Sequence, residues 1–346
     1  MSGQDVLFTR DGHSGVITLN RPEALNAVTL GMVREIHPQL TVWVDDPGIR
    51  HVLIEAAGGK AFSAGGDIRA LYDWGRAGDE TFLAFYREEY QLDTFIKRYP
   101  KPYVALLDGI TMGGGVGVSI HGSHRVAGDG LTFAMPETGI GLFPDVGGTY
   151  FLPRCPGGIG MYLALSGARL KAADALYAGI VSHYVPSDRF GALKAALASA
   201  VDVEATIREF AQDPGPPPLL EHRDAIDRCF AGDTVEDILD SLDGEGSDWA
   251  LKTAGILRSK SPTSLKITYR QIREGAKLEF EDCMRLEFRM VNRIFTAADF
   301  FEGTRAVVID KDQSPNWQPG SLAEVTSDRV DGYFAPLADE LELPAR

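Results

Sequence analysis

The apolar positions change period along the chain. Up to residue 200 they fall in short runs and alternations of the kind that build strands, and beyond it they recur at helical spacing. Residues 6–9 and 15–19 flank the turn pair Asp11-Gly12, which predicts an opening hairpin leading to the Arg21-Pro22 turn. Residues 29–43 follow a helical pattern, with Pro38 expected to kink it. Two apolar runs, HVLIEAAGG (51–59) and YVALLDG (103–109), each end in glycine and predict a buried strand followed by a tight loop. The run GITMGGGVGVSIHG (109–122) turns from loop into a short apolar helix, and HRVAGD and LTFAMPE supply further short strands. Residues 173–200 are mainly helical, with a brief strand at Tyr184-Val185. The tract DPGPPPL (213–219) cannot continue a helix, and past it amphipathic helices are expected over 220–231, 235–242, 247–258, 262–274 and 279–297. Short strands alternating with short helices, followed by a helical last third, make an α/β layout.

At 346 residues the chain can hold one large domain with an appendage, or two domains. The change of period and the proline tract divide it into a core over 1–200, a linker with a helical insertion over 201–250 and a C-terminal helical region over 251–346. The formal net charge of −15 repels polyanions and no basic patch offsets it, so neither nucleic acid nor an anionic membrane is an expected partner. Any anionic ligand must therefore be held locally. Cys155, Cys229 and Cys283 lie far apart, form no CxxC pair and leave an odd count, which fits free thiols in a reducing compartment. No basic segment precedes an apolar run near residue 1, and no apolar run reaches the roughly 18 residues of a membrane span. A cytoplasmic protein is expected.

Chemistry concentrates in three places. In KAFSAGGDIRALYDW (60–74), Gly65 and Gly66 precede an acid and a helical pattern, so backbone N–H groups can stand unpaired at a helix start. MGGGVG (112–117) opens a second helix in the same way. Either loop alone is explained by a strand-to-helix connection or by close helix packing. Together they can offer one N–H each to a carbonyl oxygen that becomes negative during reaction. Neither is a Walker loop, no GxGxxG is present, and no serine sits in a GxSxG elbow. The third place, MPETGIGLFPDVGG (135–148), sets Glu137 and Asp145 among apolar residues. An apolar setting raises a carboxylate's proton affinity and suits it to acid, base or nucleophile work, whereas a plainer role for each acid is to cap or start a turn. His121 and His124 have no acid or cysteine at metal-ligand spacing, so no metal is expected. Glu88 and Glu89, in the helical stretch FYREEYQLD, read as a solvated acidic face.

These segments together make the chain resemble the crotonase (enoyl-CoA hydratase/isomerase) superfamily. NRPEALNA (20–27), AFSAGGDI (61–68) and DGITMGGGVGVS (108–119) carry the superfamily resemblance. FYREEY, FAMPETGIGLFPDVGGTYFLPR (133–154), SPTSLKIT (261–268) and EGTRAVVIDKDQSPNW (302–317) are similar to its 3-hydroxyisobutyryl-CoA hydrolase branch. The resemblance implies a spiral of β-β-α repeats with a helical C-terminal region, acting on an acyl-CoA whose thioester carbonyl lies between the backbone N–H groups of Gly66 and Gly114. Coenzyme A is then part of the substrate and no separate cofactor is needed. In the hydratases of the superfamily two glutamates add water. The later one matches Glu137, but the earlier position holds Gly117, which disfavours hydration. The hydrolase pattern implies that Glu137 attacks the thioester carbon or activates water, that Asp145 positions the substrate hydroxyl or the water, and that Glu89 contributes to substrate binding. An isomerase or hydratase, or a CoA-binding protein without catalysis, is the competing reading. Relatives commonly form trimers or hexamers, so a homo-oligomer of either size is an expectation.

Overall fold

The computed structural model describes residues 4–343. Among these, nine strands form two sheets: β1 (Val6–Asp11), β2 (Ser14–Leu19), β3 (His51–Ala56), β4 (Ala61–Ser63), β5 (Tyr103–Leu107), β6 (Ile110–Met112), β7 (His124–Ala127), β8 (Thr132–Ala134) and β9 (His183–Tyr184). The larger sheet runs β1-β2-β3-β5-β7-β9 and the smaller β4-β6-β8. The expected hairpin is present, with Val6 opposite Leu19, and every other strand pairing is parallel. From β3 onward the chain gives one strand to the large sheet and the next to the small one, then crosses back through helix. Helix α1 (Leu30–Asp45) joins β2 to β3 within the large sheet, while α2 (Ile68–Ala77) and α3 (Thr81–Lys97) make the first of these crossings and α4 (Gly114–Ile120) the second. This is the β-β-α spiral that the resemblance implied.

Strand alternation sorts the side chains of the large sheet between two cores. Ile17, Val52, Ile54, Tyr103, Ala105 and Leu107 point into the main core. Their neighbours Val16, Leu53, Val104 and Leu106 pack instead with Leu193, Leu197, Val203 and Ile207 under the helices Phe190–Leu197 and Val203–Phe210. The strands from which the chain crosses to the small sheet are therefore held in a sheet covered on both faces.

Helix α1 starts at Thr29, whose hydroxyl accepts the Met32 N–H at 3.1 Å, and it continues through Pro38 to Asp45 as one element. The proline tract runs on into a 3-10 turn, Pro218–His222, so the helix expected at 220 begins only at Arg223. Further on, helix Pro262–Gly275 packs on the short helix Gly148–Phe151, and helix Phe280–Ile294 packs along α3. These two late helices close over the segment that carries Glu137 and Asp145.

Candidate active site

A cavity of about 390 Å³ opens between the glycine loops and the acidic segment. Gly66, Gly114, Glu89, Glu137 and Asp145 all line it, along with apolar walls from Ile68, Leu71, Phe85, Ile140 and Leu142. The five residues singled out in the sequence, drawn from four separate segments, thus meet at one place.

The two glycines arrive by the same local device. Each follows a strand of the small sheet, β4 or β6, and precedes a helix. Gly65 and Gly113 turn the chain at positive φ, +121° and +45°, a region open to glycine at little cost. The Val28 N–H donates to Gly65 O and the Asp67 N–H to Val28 O, which leaves the Gly66 N–H without an acceptor among the described residues. The Gly114 N–H, first in α4, likewise has none, because helix geometry gives its opening N–H groups no intrahelical partner. The loops touch closely: a Cβ on Gly114 would lie 3.2 Å from the Gly66 nitrogen and 2.6 Å from Glu89 Oε1.

Glu137 opens a 3-10 turn, Glu137–Ile140, which Pro136 initiates and Gly141 ends at φ +72°. A side chain at Gly141 would collide with the Asp299 carbonyl, so the turn requires glycine there. Glu137 is buried, and its Oε2 has no hydrogen-bond partner. Burial, then the charge of Asp145, pushes it well above the usual carboxylate range, against the pull of Lys260. Asp145 accepts a hydrogen bond from the Tyr90 hydroxyl at 2.9 Å, and burial raises its pKa to about 7. The two residues after it, Val146 and Gly147, both have positive φ, +49° and +86°. For a β-branched residue such as Val146 this backbone is strained by roughly 1–3 kcal/mol and must be held by its surroundings. His121, kept neutral by burial with its pKa near 3, donates from Nε2 to the Val146 carbonyl at 2.7 Å.

Glu89 is not on a solvated face. It is 2% exposed with Oε1 unpartnered, and burial followed by the charge of Asp93 drives its pKa well up. Its neighbour Glu88 does reach the surface, where it pairs with Arg34 at 2.6 Å. The reason is the phase of α3: Phe82, Phe85, Tyr86, Glu89, Asp93 and Ile96 fall on one buried stripe. That stripe also buries Asp93, both of whose carboxyl oxygens are unpartnered. A fifth buried acid, Glu287, comes from helix Phe280–Ile294. Neither Asp93 nor Glu287 was singled out in the sequence, although the spacing Cys283, Met284, Glu287, Phe288 and Val291 puts Glu287 among the buried positions of its own helix.

Gly117 has a structural reason of its own. A Cβ there would lie 2.8 Å from Asp93 Oδ1 and 3.0 Å from the Val146 Cβ, so the space is already filled. Gly117→Ala is expected to destabilise the fold by about 1–3 kcal/mol through overpacking, measured as a lower denaturation midpoint in urea. An unchanged midpoint would show the position to be open enough for a side chain.

A profile of the family described as Enoyl-CoA hydratase/isomerase matches residues 14–334. The chain belongs to that family. Among its relatives the 3-hydroxyisobutyryl-CoA hydrolase, mitochondrial, of Xenopus tropicalis is 50% identical over 97% of this chain and 90% of its own length. The protein of the same name from Homo sapiens is 46% identical over 97% and 90%. Of solved members, a carnitinyl-CoA dehydratase from Mycobacterium thermoresistibile superposes with a TM-score of 0.96 at 42% identity, covering 99% of this chain and all of that one. An enoyl-CoA hydratase from Rhodobacter sphaeroides 2.4.1 gives 0.92 at 40%, covering 98% and all of that chain. The crotonase resemblance and the α/β spiral are borne out by these matches. The cytoplasmic expectation is corrected: the hydrolase relatives are named as mitochondrial. Its argument was too weak, because free cysteines such as the three buried here fit any reducing compartment and do not select one.

Proposed function

We propose that this family member hydrolyses 3-hydroxyisobutyryl-CoA, or a similarly short branched 3-hydroxyacyl-CoA thioester, to the hydroxy acid and coenzyme A. The observation that carries this reading is Asp145, a second carboxyl in the cavity wall beside Glu137 and held there by Tyr90. Relatives at 46–50% identity named as hydrolases support it. The two solved relatives are named for removing or adding water at a carbon–carbon bond. That chemistry uses an acid at the position of Gly117, which this chain has closed to any side chain.

In the proposed reaction the thioester oxygen faces the free N–H groups of Gly66 and Gly114, and Glu137 starts the attack on the carbonyl carbon. Negative charge gathers on that oxygen in a pocket with little water, where fixed N–H donors stabilise it most. The C–S bond then breaks, the acyl carbon keeps the incoming oxygen, and coenzyme A leaves as a thiolate that takes up a proton. Asp145 orients the 3-hydroxyl or the water, and Glu89 contributes to substrate binding. Arg169 and Lys260 on the cavity wall put positive charge where an anionic CoA ester would enter an otherwise acidic protein. The reaction as written draws on no cofactor beyond the substrate's own coenzyme A. Self-association as a trimer or hexamer belongs to the same reading and is tested by sedimentation.

The deciding assay supplies 3-hydroxyisobutyryl-CoA and crotonyl-CoA separately and follows thiol release against loss of enoyl absorbance. Thiol from the first substrate is expected; loss of enoyl absorbance without thiol would favour a hydratase. Asp145→Asn is expected to lower kcat for thiol release about 10- to 100-fold. Because Asp145 is protonated below about pH 7, the wild-type rate should rise as pH increases through that value, and the variant should lose this limb. An unchanged profile in the variant would remove Asp145 from the mechanism.

A further inference from the structure

The segment bearing Asp145 is gripped mainly by the C-terminal helices rather than by its own surroundings in the spiral. From helix Phe280–Ile294, Glu287 Oε2 accepts the Gly147 N–H at 2.8 Å and Oε1 accepts the Thr149 N–H at 2.9 Å. From helix Pro262–Gly275, the Gln271 amide donates to Pro144 O and to Thr149 Oγ1, both at 2.7 Å. A fully buried carboxylate that accepts two backbone N–H groups astride the left-handed Val146-Gly147 turn is a clamp with only one fitting geometry.

We infer that Glu287 is a positioning residue for the reaction: its two hydrogen bonds hold the strained turn that aims Asp145 into the cavity. The inference rests on the functional reading above, because it acts through Asp145. Neutral glutamine has one acceptor oxygen where Glu287 uses two, so its NH2 group would meet a backbone N–H instead of receiving it. Aspartate keeps the charge and both acceptors but is shorter by one methylene.

Several other titratable groups share this interior. Glu89, Tyr90 and Asp93 come from α3, Glu137 from the acidic segment and His121 from the end of α4. Cys283 is one turn away on the same helix, while Lys97 and Arg154 lie over the Tyr150 ring. Helix Ser327–Phe334 also packs on this helix and brings Tyr333, whose phenol lies by Arg329. None of these hydrogen-bonds the Gly147 or Thr149 N–H; His121 holds the neighbouring Val146 carbonyl instead.

In Glu287→Gln, kcat for thiol release is expected to fall about 10- to 100-fold with KM changed by less than about threefold. Glu287→Asp, which keeps both acceptors, should retain more of kcat. Hydrogen exchange of the free protein, read by mass spectrometry, should show faster exchange in Glu287→Gln confined to residues 144–151. Wild-type kcat in the glutamine variant, or exchange that is unchanged or raised evenly over the whole chain, would overturn the inference. The exchange result needs no substrate, so it stands even if the wild-type protein releases no thiol from 3-hydroxyisobutyryl-CoA, an outcome that would sink the functional reading alone.

Discussion

Glutamine at position 137 is expected to cut thiol release about 10³-fold or more while leaving the protein folded and at least as stable as before. Glu137 is 4% exposed and its Oε2 meets no donor, so only a backbone hydrogen bond and the attraction of Lys260 favour its charge against burial. An amide of the same shape removes the desolvation penalty that burial imposes on the carboxylate. It also removes the only function the charge can have there, which is to attack or to accept a proton. The measurement is steady-state thiol release beside thermal unfolding. Activity within about tenfold of wild type would clear Glu137 of the central role. One turnover in ¹⁸O-water then tests for covalent attack: label entering the Glu137 carboxyl means that it forms an acyl anhydride whose glutamyl carbonyl water cleaves.

Alanine at Gly114 should be almost as damaging, for a reason that has nothing to do with protons. Its methyl group would stand 2.6 Å from Glu89 Oε1 and 3.2 Å from the Gly66 nitrogen, driving apart the two N–H groups proposed to face the thioester oxygen. Loss of one such donor typically raises the barrier by about 2.7–4 kcal/mol, or 10²- to 10³-fold in kcat. Gly191→Ala provides the control, since a methyl group there meets nothing within 4 Å. If Gly114→Ala kept wild-type kcat, the oxyanion site would have to lie elsewhere in the cavity.

Much of this could be read from the chain because local signals and tertiary packing agreed. Glycine pairs after apolar strands foretold both loops, and the apolar setting of Glu137 and Asp145 foretold that they turn inward. Where the reading failed, helical phase had been overruled by residue type. Glu89 looks like surface because it is an acid beside another acid, yet it keeps step with Phe82, Phe85 and Tyr86, and the helix packed along α3 buries that whole stripe. Glu287 escaped notice for the same reason, and Asp93 because its partner in explanation, Gly117, is remote in sequence. A single charged residue on an apolar stripe is a weak signal in one helix. Its meaning depends on which loop lies opposite, and no local pattern reports that. The free cysteines show the opposite failure, a correct local observation asked to choose between compartments that it cannot distinguish.

The bonds between Glu287 and Gly147 span 140 residues, and those between Gln271 and Pro144 span 127. During synthesis the sheets and both glycine loops leave the ribosome well before the helices that grip the acidic turn. An unfinished chain can therefore have the glycine loops and Glu137 in place while the turn that carries Asp145 still lacks its clamp. That turn is completed only when the last helices dock.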